Sequence, residues 1–523
     1  MDNRRRYRYD PLRLLTLSGG EMDHDVDVAI VGCGPVGATL AIALGQQGVR
    51  VVAIERERSI YHLPRAVCFD GEILRMYQTL GLAEGIAEVS TPMRGFRYES
   101  DKGEALIDWE IPYDSTGVQG WGDTHMFHQP DVESLLRRTM GDLAGVELLD
   151  GHEVEAIEQD DSGVTLSVRD LESGSTRSIT AAYAVGCDGG GSFVRKSLGI
   201  KFETLGPAQD WMVVDALKNQ ELELTEALTG YCWPSRPHLF IPMNDTRVRW
   251  EFMVLPDDDR AAITSPEGAY ELIERFAGPD QVTIERSAIY TFLSLLAERW
   301  RAGRIFLAGD AAHMQPPLRA QGLCSGVRDT INLSWKLAAV LRGEADDALL
   351  DTYESERRVH ARTWIEIATE LSNVINTTDP QVAAGRDAHM LANPMPYRND
   401  APPLGPGLHG DVPPPAGSLS EQAVLDDGTR LDDQTGWRFL VAMTAEVEAD
   451  LDAATRQALS DERWFHVLDA GSELATDLLA RHEAQGALVV RPDRYVLGTA
   501  QDAAALGDVV ARWTTHLTER VPG

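Results

Sequence analysis

The stretch DVAIVGCGPVGATLAIALGQQGVRVVAIERE, residues 27–57, constrains this chain more than any other. It opens with a short apolar, β-branched run that meets Gly32 and reads as a buried strand. An amphipathic stretch over 36–48, ending at Gly48, reads as a helix, and 49–55 reads as a second strand ending in Glu55. The order is that of a βαβ unit. Gly32 permits the tight turn, Gly34 lets a ligand approach the backbone, and Gly37 lets helix and strand pack closely. The helix N-terminus favours an anion, and Glu55, 18 positions beyond the last glycine, can accept hydrogen bonds from a ribose. A bound dinucleotide follows. The glycines do not separate NAD from FAD, and the acid disfavours a 2′-phosphate at this site.

With 523 residues, the chain exceeds one ordinary core, and two or three domains are expected. A net charge of −34 repels nucleic-acid phosphates and anionic lipid, so neither is an expected partner. Five cysteines (Cys33, Cys68, Cys187, Cys232, Cys324) form no CxxC pair, which suits reduced thiols and a cytoplasmic location. No apolar run approaches a membrane span, and no His/Cys/Asp cluster has metal-ligand spacing, so no metal is expected. Residues 1–24 read as an N-terminal extension, with an arm that docks on a partner subunit as the alternative; homo-oligomer formation is left open.

Further along, 128–140 reads as a helix with Leu135 and Leu136 inward, and strands in a hairpin-like arrangement fall within 163–189. Alternating segments between about 204 and 300 predict a second sheet. GRIFLAGDAAH (303–313) reads as a strand running into a loop, and long helices are expected over 321–343 and 348–375. The Pro- and Gly-rich stretch 393–417 reads as a linker. Beyond it, a small α/β domain is expected.

Two later stretches carry a resemblance. VGCDGGGSFVRKSLGI (185–200) holds Asp188-Gly189 followed by Arg195, and GRIFLAGDAAHMQPP (303–317) holds Gly309-Asp310. With the first glycine motif they resemble the three motifs of the FAD-dependent aromatic hydroxylases, the group A flavoprotein monooxygenases of the para-hydroxybenzoate hydroxylase superfamily. LPRAVCFDGEILRMYQTLGL, FHQPDVESLLR and RVRWEFMVL look most like the 3-(3-hydroxyphenyl)propionate hydroxylase branch. The resemblance covers about residues 25–400 and continues more weakly to the C-terminus.

It implies an α/β fold: a Rossmann-like FAD-binding domain (25–95, 125–203 and 300–392), an inserted, mainly β substrate domain (96–124 and 204–299), the linker, and a C-terminal thioredoxin-like domain (418–523) without cysteine. It also implies FAD held by Gly32, Gly34, Gly37, Glu55, Arg56, Arg65, Gln129, Val154, Asp188, Asp310, Pro317, Gly322, Leu323 and Cys324. The bland alternatives are a surface salt bridge for Arg65, a place beside a helix cap for Gln129, core packing for Val154, a turn for Asp188 and a cap for Asp310. His313 is expected to be structural rather than catalytic. Cys324 replaces a common Asn, and Ala320 stands where glycine is usual, which puts the loop geometry in question because alanine resists positive φ.

The implied activity is hydroxylation of a phenolic substrate ortho or para to its hydroxyl, through a flavin C4a-hydroperoxide, with O₂ and NAD(P)H as a transient co-substrate. No second dinucleotide fingerprint appears. Tyr231 and His238 are the candidates for phenol contact, and Arg319 for a substrate oxyanion or carboxylate; aromatic core is the alternative for Tyr231. Asp215, Arg249 and Glu251 form a further polar set, with Arg249 and Glu251 on one strand face and Trp250 on the other; cross-strand salt bridges are the alternative for the last two. Epoxidation or Baeyer–Villiger oxidation of a polycyclic natural product is the competing enzyme reading, and a non-catalytic FAD-binding escort protein the competing non-enzyme reading.

Overall fold

The computed structural model describes residues 24–61, 66–112, 115–396 and 401–518. Six helices position the site: α1 (Pro35–Gln46), α2 (Gly71–Thr79), α3 (Gln129–Gly141), α4 (Gln321–Leu341), α5 (Asp351–Ile375) and α6 (Pro380–Ala392). The first sheet has Val26–Val31 at its centre, parallel to Val51–Glu55 on one side and to Thr176–Gly186 on the other. Ile305–Leu307 and Val146–Asp150 extend it outward, also in parallel, and an antiparallel hairpin, His152–Gln159 with Val164–Asp170, joins Thr176–Gly186. The central strands are buried on both faces, which explains their unbroken apolar runs. Gly37 brings α1 against this sheet: a Cβ there would lie 2.0 Å from the Gly32 carbonyl oxygen.

The second sheet has seven strands, in the order Val282–Phe292, Gln209–Lys218, Arg247–Met253, His238–Pro242, Leu228–Tyr231, Gly95–Glu99, Ala105–Glu110. Both of its faces carry apolar side chains, and one also holds a buried ion cluster. One packs Trp211, Leu239, Ile241, Met253 and Tyr98 against Leu318, against Leu371, Val374 and Ile375 of α5, and against Met390 of α6. The other packs Met212, Val214, Phe240 and Trp250 against Ala269 and Ile273 of the short helix Pro266–Ile273.

A third sheet, of four strands, takes in Phe439–Met443, Phe465–Val467, Ala487–Val490 and Val496–Ala500, flanked by helices Glu473–Arg481 and Ala503–Thr514. One of its faces continues through Phe439, Trp464 and Trp513 onto Trp335 and Ala339 of α4. The stretch read as a linker is a connector without slack in its described part after residue 400. Leu404, Leu408 and His409 are buried, and Cβ atoms on Gly405 and Gly407 would strike the Ser355 carbonyl at 2.3 Å and Glu356 Cγ at 2.2 Å. Gly405 and Gly407 serve close approach to α5.

Buried ion pairs fasten the third sheet to the first. Glu356 of α5 accepts from Arg491 Nη1 (2.8 Å) and Nη2 (2.7 Å), Lys336 Nζ (2.7 Å), Asn332 Nδ2 (2.9 Å) and the Leu408 amide (2.8 Å). These partners hold its carboxyl well below the usual carboxylate range, while burial pushes the Lys336 ammonium down to about 8. Removing one member of such a set leaves a buried cation without compensation. Glu356→Gln is expected to cost ~3–5 kcal/mol and to lower the thermal midpoint clearly; a variant that melts with the wild type would contradict this account of how the sheets are joined.

Candidate functional site

Two long helices begin at the site without a side-chain cap. At α1 the cap position is Gly34, followed by Pro35; at α4 it is Ala320. Helix starts leave backbone N–H groups unpaired and carry a partial positive charge, so each presents donors to an anion. The two starts are neighbours, because Gly326 of α4 packs on Val36 of α1 (a Cβ would lie 2.5 Å from its side chain). At Gly34 and at Gly322 a Cβ would meet nothing within 4 Å. These glycines border open space, unlike Gly32 (φ +94°), where a Cβ would lie 2.6 Å from the Cys187 carbonyl oxygen.

Glu55 ends its strand half-buried, with Oε2 accepting from the Cys33 amide (2.8 Å) and Oε1 from the Glu57 amide (2.9 Å), which fixes the carboxylate beside the glycine turn. Arg56 is exposed and faces Glu57 (3.3 Å). Gln129 starts α3 and accepts from the Ala66 amide (2.9 Å); Arg65 lies outside the described residues. Asp188 accepts from the Ser192 hydroxyl (2.5 Å) and the Val194 amide (3.0 Å), so it organises the turn after its strand. Val154 is buried and paired with Val168 in the hairpin. Asp310 is exposed in a single 3₁₀ turn that follows Ile305–Leu307.

The loop before α4 takes a 3₁₀ turn over Pro317–Arg319, and Ala320 then adopts φ 52°, ψ 29°. The alanine thus enters the left-handed region despite its Cβ, at about 1–2 kcal/mol. Leu323 is half-buried against the first sheet's core. Cys324 is fully buried, lies 3.4 Å from the Ala320 carbonyl oxygen, and has its thiol pushed up by burial.

Two residues that organise the site, Asp329 and Arg137, escape a reading of the sequence, while Arg195 belongs to the second motif. Asp329 of α4 accepts from the Gly309 amide (3.0 Å), His313 Nε2 (2.8 Å) and Arg357 Nε (3.0 Å), which gives His313 the structural role expected of it. Arg195 joins the second and third motifs by donating to the carbonyls of Gly190 (3.1 Å) and Ala311 (3.2 Å). Arg137 of α3 donates to the Cys33 carbonyl (3.3 Å) and to Glu133 (3.3 Å). Of Asp329 and Arg137, only Arg137 leaves a local trace, its i,i+4 spacing from Glu133.

A cavity opens at the start of α4, lined by Cys68, Phe69, Asp70, Phe96, Thr124, Arg319, Ala320 and Gln321. A second lies across the same loop, between Trp211 and Phe292 of the seven-stranded sheet, Pro316, Leu318, and Thr369 and Ser372 of α5. Arg319 makes no ion pair among the described residues and lies 5.9 Å from the Trp364 ring.

Tyr231 and His238 are not brought to these cavities. They stack on each other (4.5 Å between rings) on the opposite face of the sheet, His238 against Phe252 and both against Phe276. Burial pushes the His238 imidazole down to about 4. On the face shared with Leu318, Asp215 pairs with Arg249 (2.6 Å) and Arg286 (2.8 Å), Arg249 lies 3.6 Å from Glu251, and Trp250 is on the other face. On the side of Leu318, Tyr98 packs with Leu318 and Trp211, and Phe96 of the same strand lines the cavity beside Arg319.

Uncapped helix starts, an open glycine edge and a fixed carboxylate fit a dinucleotide with an anionic bridge in an α/β fold, and the family match identifies that dinucleotide as FAD. Residues 25–368 match the family described as FAD binding domain, and the chain belongs to that family. It is 37% identical over 503 residues (92% of this chain, 93% of the relative) to the probable NADH-specific resorcinol 4-hydroxylase of Rhodococcus jostii (strain RHA1). It is 33% identical over 521 residues (92% of each) to the 3-(3-hydroxy-phenyl)propionate/3-hydroxycinnamic acid hydroxylase of Shigella sonnei (strain Ss046). Among solved structures, it is similar to aklavinone-11 hydroxylase in ternary complex with FAD and aklavinone (TM-score 0.77, 26% identity, 94% of this chain and 99% of that one).

The two glycines separate ligand space from fold. Gly34→Val is expected to leave the thermal midpoint of the apoprotein near wild type and to weaken FAD retention strongly, whereas Gly37→Ala should prevent folding. Equal FAD affinity in Gly34→Val, measured by flavin fluorescence quenching, would remove Gly34 from the binding edge.

Proposed function

We propose that the chain is an NAD(P)H-dependent FAD monooxygenase that inserts one oxygen atom of O₂ into a phenolic ring, ortho or para to the hydroxyl, with the second oxygen leaving as water. The carrying observation is the cavity at the start of α4, where aromatic walls, an uncapped helix N-terminus and Arg319 meet. FAD, when bound, supplies hydride acceptance and oxygen activation; Gly32, Gly34, Gly37, Glu55, Gln129, Asp310, Gly322 and Leu323 are the residues that would hold it. Asp188, with Arg195, shapes the adjoining turn.

The protein's own contribution is positioning and charge. The N–H groups at the start of α4 stabilise negative charge at that edge of the site. Phe96 and Phe69 offer an apolar wall to a ring, and Leu318 and Tyr98 close the space between loop and sheet. Arg319 meets a phenolate oxygen, raising the ring's electron density by favouring the ionised form. A monocyclic phenol is the favoured substrate, since resorcinol and 3-(3-hydroxyphenyl)propionate are what the two relatives' names specify. The carboxylate of the second compound is an alternative partner for Arg319.

The test is the rate at which NADH and NADPH reduce the bound flavin with and without each phenol, together with product analysis. Acceleration by one phenol and a hydroxylated product support the reading; acceleration without hydroxylated product would overturn it. In Arg319→Gln the loss of one charge-assisted hydrogen bond is expected to raise KM for that phenol by roughly 10–100-fold. An unchanged KM would remove Arg319 from substrate binding.

A further inference from the structure

The turn Arg491–Tyr495 of the third sheet is unusual in its burial. Arg491, Asp493, Arg494 and Tyr495 are each 2% exposed or less. Turns carry unpaired backbone and ordinarily run over the surface. This one is plugged between α2, α4 and α5, and most of its side-chain polar groups find partners on those helices. Arg491 and Asp493 serve the Glu356 cluster, and Arg494 reaches Asp432 (3.0 Å) and the Thr79 hydroxyl (2.9 Å).

Tyr495 leads elsewhere. Its hydroxyl donates to Glu72 Oε1 (2.8 Å), and Glu72 Oε2 accepts from Arg328 Nε (2.6 Å). The same guanidinium donates through Nη2 to Asp70 Oδ2 (2.6 Å) and through Nη1 to Gln321 Oε1 (2.6 Å), while Gln321 Nε2 donates to Asp70 Oδ2 (3.0 Å). Asp70 and Gln321 line the cavity at the start of α4. The planar arginine fork fixes three acceptors at once, and all members of the chain are buried. Asp70 is doubly committed, because its Oδ1 also caps α2 through the Ile73 amide (3.1 Å).

We propose that Tyr495 is a positioning residue: through Glu72 and Arg328, the C-terminal domain sets the placement of Gln321 and the uncapped start of α4 against the flavin. The idea rests on the reading that FAD lies at that helix start. It gives a domain without cysteine a role in the chemistry that needs no chemistry of its own. Without the tyrosine hydroxyl, Glu72 loses the partner that balances Arg328 on its other oxygen, and the arginine fork is free to shift, carrying Gln321 with it.

The test compares Tyr495→Phe with Thr79→Val in the FAD-loaded full-length protein. Thr79→Val removes a hydrogen bond from the same buried turn to the same helix, off the path to the cavity. Three quantities are read: the flavin's visible absorption envelope, the reduction rate by NADH, and the thermal midpoint. The proposal expects Tyr495→Phe to shift the envelope and slow reduction roughly tenfold, with Thr79→Val matching wild type in both. Two outcomes would overturn it: both variants losing thermal stability while spectrum and rate stay unchanged, or both changing spectrum and rate alike. Because Glu72→Gln breaks the same path one link nearer the cavity, it must reproduce the spectral shift; an unchanged envelope there also sinks the proposal. If wild type takes up no FAD, the flavin reading itself fails, whereas wild type that binds FAD beside an indistinguishable Tyr495→Phe defeats the tyrosine's role alone.

Discussion

The structure hangs on the buried polar side of α4. Along its 21 residues, Gln321, Arg328, Asp329, Asn332 and Lys336 are buried, and between them they are matched to several separate parts of the molecule. Arg328 binds α2, Asp329 binds the Gly309 turn, His313 and α5, and Asn332 and Lys336 bind Glu356. A helix with charges on its buried faces has few places where all can be satisfied together. Burying charges is expensive unless they are paired, so a displaced α4 would leave several ions uncompensated. The helix is therefore fixed in depth and rotation, and its uncapped N-terminus is fixed with it.

That placement links the three sheets. The first sheet supplies the glycine turn and Glu55, and α1 is brought against it by Gly37. The seven-stranded sheet supplies one apolar face to the loop before α4 and covers the other with its own helix. The third sheet packs aromatic side chains on the C-terminal half of α4 and inserts its charged turn near the middle. The site forms where an anion-favouring helix start, an aromatic wall and the Arg319 cation come together. Such a place suits the ionised form of a phenol as well as a negatively charged cofactor edge.

Much of this was legible in the sequence, because it depends on local pattern. The βαβ unit, the hairpin, the second sheet's segments between about 204 and 300 and both long helices follow from apolar periodicity and from glycine placement. The structural role of His313 was also readable, though its partner Asp329 was not. The phenol-contact choice shows where pattern stops. Alternation correctly separates Trp250 from Arg249 and Glu251, but both faces of that sheet are buried and carry apolar side chains, so alternation does not say which one meets the loop. Tyr231 and His238 fall on the face covered by Pro266–Ile273, and Tyr98, from a segment with no motif, falls on the side of Leu318. The pairing of Tyr495 with Glu72, 423 positions apart, is set by domain docking and leaves no local signal. Ala320 is the reverse case: its composition argued against positive φ, yet the start of a helix held by Gln321 and Arg328 imposes it.

The most direct test of the central claim is to run the reduced enzyme with a phenol it accepts under heavy-isotope dioxygen and to measure the product's mass. The account predicts one heavy oxygen per product molecule, placed ortho or para to the original hydroxyl, with one nicotinamide oxidised for each. A hydroxylated product that carries only oxygen from water, or heavy oxygen recovered solely as hydrogen peroxide with the phenol unchanged, would contradict it.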